Sequence, residues 1–184
     1  MPLKTPICDF GQAAKSFELK STNNEIIKLN DIRGENGTLV MFICNHCPYV
    51  KAIIKDIVDD CKNLYEIGIN AVAICSNDSI NFPDDSFEKM IEFSKKYNFN
   101  FPYLVDETQE IAKAYDAVCT PDFFGYNKNL ELQYRGRIRE LNDLKPVRTG
   151  DSDLYKAMKK IAEMQIGPKE QVPSMGCGIK WLNN

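Results

Sequence analysis

The stretch TLVMFICNHCPYV, residues 38–50, carries the strongest structural and chemical signals in the chain. Its apolar first half, residues 38–43, predicts a buried β-strand. Pro48 suits the first turn of a helix, because proline lacks the amide hydrogen that this turn leaves unpaired. We therefore expect Cys44 and Cys47 between a strand and the N-terminus of a helix, whose free amides and dipole stabilise a thiolate. This position favours a disulfide that closes and reopens.

A βαβ unit is predicted around this motif. Apolar side chains recur at helical spacing from Val50 to Tyr65, with charged side chains off that stripe, and Gly68 is the expected end of the helix. Residues 69–75 are apolar almost throughout and predict a second buried strand. A Cys-x-x-Cys motif that opens the helix of such a unit is typical of thioredoxin-like redox proteins.

The remaining segments predict an α/β domain. Residues 16–20 and 25–29 flank a polar turn and predict an N-terminal β-hairpin. Strands are also predicted at residues 101–105, 122–126 and 130–137, and helices from Ser86, at residues 106–115, and from Ser152 to about Met164. From Gly167 to Asn184 the chain is rich in glycine and proline, and we expect an irregular tail. This order predicts one domain, residues 1–184, with a central mixed sheet and helices on both faces.

Composition limits the classes of function. The 184 residues are 43% hydrophobic and 27% charged, which is ordinary for a globular protein. A net charge of −3 argues against nucleic acids or anionic membranes as partners. The sequence shows no signal peptide and no long apolar run, so a cytoplasmic location is predicted. Seven cysteines are an odd number, and in a reducing compartment most should be free thiols.

Half of a zinc site is the alternative interpretation of Cys44 and Cys47. A structural zinc site needs two further ligands, and the chain has neither a second Cys-x-x-Cys motif nor a pair of histidines. His46 is the only histidine, and the other cysteines occur singly. We therefore predict thiol redox chemistry with no metal and no cofactor.

Several motifs resemble the AhpC/TSA (redoxin) family of thioredoxin-fold proteins. The first is FICNHCPYVK at residues 42–51, and others are SND at 76–78, FPDDS at 82–86, FPYLVDETQE at 101–110, CTPDFF at 119–124, YRG at 134–136 and PSMGCGIKW at 173–181. The resemblance covers nearly the whole chain and implies a thioredoxin-like fold. By position, Thr120 and Pro121 resemble the cis-proline loop that faces the Cys-x-x-Cys motif in this fold. The Thr120 backbone would then be free to pair with an extended substrate.

The resemblance implies two competing activities. In thiol–disulfide exchange, Cys44 attacks a substrate disulfide and Cys47 displaces the reduced product. In an antioxidant, peroxiredoxin-like reaction, peroxide oxidises Cys47 to a sulfenic acid that another thiol resolves. Exchange is favoured, because Cys44 replaces the threonine of the peroxiredoxin motif Thr-x-x-Cys-Pro and Cys119-Thr120 replace its arginine. The partners would be protein or small-molecule disulfides, or peroxides, with a thioredoxin- or glutathione-type reductant.

Three further residues are candidates for the site. His46 lies between the two thiols in the sequence and is expected to stabilise a thiolate, which makes the disulfide more oxidising. Asp78 follows the second strand and would transfer a proton to Cys47 or shape the turn. Cys177, four residues before Trp181, resembles the resolving-cysteine segment of two-cysteine peroxiredoxins. A redox-sensing module without turnover is a third interpretation of the whole chain.

Overall fold

The structure is a computed structural model that describes residues 1–183. Its strands are β1 (Leu3–Lys4), β2 (Glu18–Ser21), β3 (Ile26–Lys28), β4 (Gly37–Phe42), β5 (Ile69–Cys75), β6 (Tyr103–Val105), β7 (Cys119–Thr120), β8 (Asp122–Asn127), β9 (Leu132–Tyr134), β10 (Leu141–Asn142), β11 (Lys145–Pro146) and β12 (Met175–Gly178). The α-helices are α1 (Pro48–Tyr65), α2 (Phe87–Lys96), α3 (Glu110–Ala114) and α4 (Asp153–Met164), and short 3₁₀ helices span Leu29–Ile32 and Pro83–Asp85. Within residues 1–183 we find no helix with both the length and the apolar character that crossing a bilayer demands.

A seven-stranded mixed sheet forms the centre of the fold, in the order β3-β2-β6-β5-β4-β8-β9. The strand β4 is parallel to β5 and antiparallel to β8. Its side chains alternate between the two faces. Leu39 and Met41 pack in the core under α1, α2 and α4, whereas Val40 and Phe42 pack in the core under α3 and the first 3₁₀ helix. The predicted mixed sheet with helices on both faces is confirmed.

Most predicted elements are present, with changes at their ends. The N-terminal hairpin is formed by β2 and β3, and β2 also pairs with β6, which joins the hairpin to the main sheet. The helix predicted at residues 106–115 begins later, because the Asp106 carboxylate accepts the amides of Ile111 and Ala112 and stays outside the helix. The strand predicted at 130–137 ends early, since the Arg135 amide donates to the Gln171 side chain.

The prediction of an irregular tail from Gly167 is wrong for β12. This strand lies between β1 and β7 in a separate three-stranded sheet. A Cβ at Gly176 would overlap the carbonyl oxygen of Thr120, so a side chain there is incompatible with this close pairing. Glycine has low β-propensity, and tertiary pairing overrides that local preference here.

Replacing Gly176 with alanine is expected to destabilise the protein by about 1–3 kcal/mol, because the added methyl group meets backbone rather than a movable side chain. Gly178→Ala is the matched control in the same strand. The nearest atom to a Cβ at Gly178 is Cδ1 of Leu3, at 3.2 Å, which can move aside. Urea unfolding of both variants measures the difference. Equal stability of the two variants would contradict the close pairing of β12 with β7.

Candidate active site

The Cys-x-x-Cys motif lies against the loop at residues 120–121. Cys44 follows β4, and Cys47 is the N-cap residue of α1. The Thr120–Pro121 peptide bond, between β7 and β8, is cis, as the resemblance implied. Cys44 Sγ lies 3.3 Å from Thr120 Oγ1, and Cys47 Sγ lies 3.2 Å from the Thr120 carbonyl oxygen. Both sulfur atoms thus contact the same threonine.

A third thiol joins this pair from the C-terminal strand. Because β12 runs antiparallel to β7, Cys177 is opposite Thr120 in the ladder. Its sulfur lies 3.0 Å from the sulfur of Cys47. The expectation that the Thr120 backbone would be free for a substrate strand is therefore wrong in this structure, since β12 occupies that place. Cys177 is brought to Cys47 as anticipated, and its redox role remains a prediction.

The hydrogen bonds among the thiols favour a thiolate at Cys47. Its pKa is lowered to about 5, first by the hydrogen bond with Cys44 and further by those with Cys177 and the amide of Val50 in the first turn of α1. The hydrogen bond to Cys47 also raises the pKa of Cys44, and burial and the negative charge of Asp85 raise it further. Burial and the contact with Cys47 raise the pKa of Cys177 to about 12. Of the three thiols, Cys47 therefore has the lowest pKa, whereas from the sequence Cys44 was expected to be the attacking thiol in exchange.

Asp85 organises the loop that carries the motif. Its carboxylate is 2% exposed and accepts hydrogen bonds from the Asn45 amide at 2.7 Å and from the Asn77 side chain at 2.8 Å. His46 Nδ1 lies 2.5 Å from Asp85 Oδ2, the oxygen that also accepts the Asn77 side chain. Asn45 accepts a hydrogen bond from the buried Tyr103 hydroxyl at 2.9 Å. In the sequence, Asp85 is noted only as part of the motif at residues 82–86. No spacing rule links it to Cys44, which lies 41 positions earlier.

Cys44, His46 and Asp85 bring three potential metal-ligating atoms together. Donor atoms of Cys44, His46 and Asp85 lie within 4.8 Å of one another, an arrangement that is compatible with a metal ion. The imidazole and the carboxylate are already paired with each other, and Asp85 also accepts the Asn45 amide. The donor set therefore acts as a hydrogen-bond network that fixes the position of the imidazole next to Cys44.

Asp78 shapes the turn after β5. Its carboxylate accepts the amides of Ile80 at 3.0 Å and Asn81 at 3.2 Å, together with the Asn81 side chain. The hydrogen bond from the Asn81 side chain is the main reason that the pKa of Asp78 is lowered. Turn formation was one of the two roles considered for this residue. Proton transfer to Cys47 remains a prediction.

The other cysteines differ from the cluster in environment. Cys61, Cys75 and Cys119 are buried, and burial is the main cause that raises the pKa of each thiol. Cys8 is partly exposed, and burial of much of its side chain also raises its pKa. All seven cysteines are free thiols. These four thiols are thus less easily ionised than Cys47.

The pKa of Cys47 is expected to depend on the hydrogen bond from Cys44. In the wild type, the ultraviolet absorbance of a thiolate should appear with a midpoint near pH 5 and should be absent in Cys47→Ser. Cys44→Ala removes the donor and should raise this midpoint, whereas Cys44→Ser retains a hydroxyl donor and should raise it less. A midpoint that is equal in the alanine and serine variants would show that Cys44 does not set the pKa.

Comparisons with known proteins place these features in a family. The sequence profile described as the AhpC/TSA family matches residues 10–141. Peroxiredoxin Bcp of Bacillus subtilis (strain 168) is 27% identical over 128 residues, which cover 70% of this chain and 73% of that protein. Thiol-disulfide oxidoreductase ResA of the same organism is 27% identical over 117 residues, which cover 64% of this chain and 61% of ResA.

The crystal structure of an uncharacterized conserved protein from Geobacillus kaustophilus is also similar. It has 35% sequence identity and a TM-score of 0.95, and the alignment covers 100% of this chain and 98% of that one. The architecture is that of thioredoxin-fold proteins. Since the AhpC/TSA profile matches most of the chain and the thiol pair lies against a cis-proline loop, this chain belongs to the AhpC/TSA family.

Proposed function

We propose that this protein is a thiol–disulfide oxidoreductase that uses Cys44 and Cys47 as its redox pair. The observation that supports this most directly is that both sulfurs of the pair lie against the cis-proline loop, with Cys44 Sγ 3.3 Å from the Thr120 hydroxyl oxygen and Cys47 Sγ 3.2 Å from the Thr120 carbonyl oxygen. A thiol that donates to a neighbouring thiolate is also placed to form a disulfide with it. The similarity to ResA agrees with this reaction class.

The overall reaction transfers two electrons. A substrate disulfide is cleaved to two thiols, and Cys44 and Cys47 form a disulfide as they are oxidised. A second dithiol, of the thioredoxin or glutathione type, then reduces that disulfide and restores the enzyme. Thr120 contacts both sulfurs, Cys44 through its hydroxyl group and Cys47 through its carbonyl oxygen. Pro121 follows Thr120 and has no backbone N–H, so it donates no hydrogen bond.

A peroxiredoxin-like peroxidase is the second candidate. The similarity to Bcp favours it, as does a low pKa at Cys47, directly before Pro48. Peroxide chemistry would leave Cys47 as a sulfenic acid, which Cys44 or Cys177 would resolve as a disulfide with loss of water. Arg135 does not provide the expected guanidinium at this sulfur, because its side chain donates to Asp122 and to a backbone carbonyl.

A redox-sensing module without turnover is the third candidate. In such a module, oxidation of Cys44 and Cys47 to a disulfide would switch the activity of a partner protein. Repeated turnover of a substrate would distinguish an enzyme from this module. We also propose a cytoplasmic location, since seven cysteines are an odd number and do not form a complete disulfide framework.

His46 is expected to make the Cys44–Cys47 couple more oxidising than thioredoxin, whose potential is about −270 mV. The His46 imidazole lies within 4.8 Å of the Cys44 sulfur, where a hydrogen-bond donor favours the reduced, thiolate-containing state, so His46→Ala should shift the potential to a more negative value. Equilibration in glutathione buffers, followed by mass spectrometry of the thiols, measures both potentials. A wild-type potential below that of thioredoxin, unchanged in the alanine variant, would refute this role for His46.

The two enzymatic candidates are expected to respond differently to Cys44→Ser. Exchange through the Cys-x-x-Cys pair requires both of its thiols, so this variant should lose turnover with protein disulfides such as insulin by more than about a hundredfold. Peroxidase activity would survive in part, because Cys177 remains beside Cys47 to resolve a sulfenic acid. Parallel assays of disulfide reduction and peroxide consumption, with the thioredoxin system as electron source, test this.

Fast peroxide consumption by Cys44→Ser, with a sulfenic acid trapped at Cys47, would show that the protein is a peroxidase and not an exchange enzyme. Cys61→Ser is a suitable control, because Cys61 is a buried residue of α1 that lies outside the thiol cluster.

A further inference from the structure

The C-terminal strand fills the place where an extended substrate would pair with the cis-proline loop. Cys177 of β12 is opposite Thr120 of β7, and Gly176 is opposite Leu3 of β1. Both edges of β12 are therefore paired within the described residues. A polypeptide cannot add to Thr120 by backbone hydrogen bonds while β12 is in place.

Hydrogen bonds hold β12 on both sides of Cys177. Before the strand, the Ser174 hydroxyl donates to the Pro121 carbonyl at 2.8 Å. After the strand, the Lys180 carbonyl accepts the Asp78 amide at 2.8 Å and the Gln109 side chain at 2.8 Å. The contact between Cys177 and Cys47 is therefore supported at both ends by residues that are distant in the sequence.

The three cysteines differ in how much of each is exposed to solvent. Cys47 is 0% exposed and Cys44 is 1% exposed, whereas Cys177 is partly exposed and lies 3.0 Å from Cys47. A reagent in solution therefore meets the Cys177 sulfur before either sulfur of the Cys-x-x-Cys motif. Burial of a nucleophile behind an accessible thiol requires that the accessible thiol move aside or take part.

A groove of about 580 Å³ opens at the first residue of β12 and at Pro121 of the cis-proline loop. Tyr49 of α1, Pro121 and Met175 are among the residues that line it. Met175 and Cys177 are two positions apart in β12, so their side chains leave the strand on the same face. The volume is in the range of sites for small molecules, roughly 300–1,000 Å³.

We propose that Cys177 is the entry thiol for low-molecular-weight disulfides, and that it passes their oxidising equivalents inward to Cys47 and Cys44. This inference rests on the proposed function, and it specifies the substrate class and the order of the thiols. Small disulfides are selected because they can reach one exposed sulfur and place their remaining atoms in the groove. Extended polypeptides are disfavoured because β12 occupies the edge that they would use.

The relay has three balanced steps. In the first, the Cys177 sulfur attacks the small disulfide, and the departing small-molecule sulfur takes the proton of Cys177 and leaves as a thiol. In the second, the Cys47 thiolate attacks the Cys177 sulfur, and the second small-molecule sulfur leaves as a thiolate that takes a proton from water. In the third, Cys44 attacks the Cys47 sulfur, and Cys177 leaves and takes the proton of Cys44. The small disulfide is reduced to two thiols, and Cys44 and Cys47 end as a disulfide.

Stopped reactions of the full chain with oxidised glutathione test the relay. Mass spectrometry after acid quenching should find glutathione on Cys177 in Cys47→Ser, a Cys47–Cys177 disulfide in Cys44→Ser, and a Cys44–Cys47 disulfide in the wild type. Formation of the Cys44–Cys47 disulfide in Cys177→Ser should be more than about tenfold slower than in the wild type. Cys8→Ser removes a partly exposed thiol outside the cluster and should react at the wild-type rate.

The outcomes separate the relay from the proposed function. If Cys177→Ser is folded by circular dichroism and forms the Cys44–Cys47 disulfide at the wild-type rate, the relay is wrong and the oxidoreductase assignment stands. If the wild type forms no Cys44–Cys47 disulfide with oxidised glutathione or with insulin, the proposed function is wrong and the relay fails with it. Faster oxidation of the wild type by insulin than by oxidised glutathione would overturn the substrate class.

Discussion

The backbone pairing of β12 with β7 is the constraint on which the thiol cluster depends. It places Cys177 opposite Thr120 and therefore brings its sulfur to Cys47, across 130 positions of sequence. The pairing requires a glycine at position 176, where a side chain would overlap the Thr120 carbonyl. One backbone contact thus determines both the access to the site and the number of thiols in it.

The polar groups around the motif divide its two cysteines into different roles. Cys47 caps α1, where the Val50 amide and two neighbouring thiols stabilise negative charge. Cys44 lies near the buried carboxylate of Asp85, which opposes ionisation of its thiol. Identical side chains three residues apart therefore differ in pKa first because of their interaction with each other, and further because of the start of the helix at Cys47 and the buried carboxylate near Cys44. This asymmetry suits an exchange reaction, in which a stabilised thiolate is both the attacking group and a good leaving group.

The surroundings of Cys47 also explain why membership of the AhpC/TSA family does not define the reaction. The chain keeps the thiolate and the following proline that a peroxidase uses, and Cys44 supplies a weak donor where peroxiredoxins are expected to have threonine. The guanidinium of Arg135 is committed to Asp122 in a buried ion pair, with the Phe124 ring 4.5 Å from its central carbon. The Arg135 guanidinium is therefore engaged away from the Cys47 sulfur.

The sequence alone determined the elements that depend on local pattern. The apolar run before Cys44, the helical stripe after Cys47 and the second buried strand predicted the βαβ unit, because periodicity reflects burial directly. The tertiary structure decided what depends on distant residues meeting. The strand character of residues 175–178 comes from pairing with β1 and β7 rather than from propensity, and the role of Asp85 comes from a loop folding back onto the motif. Neither contact leaves a local signal in the sequence, since each is made by backbone or by a single carboxylate across a long separation.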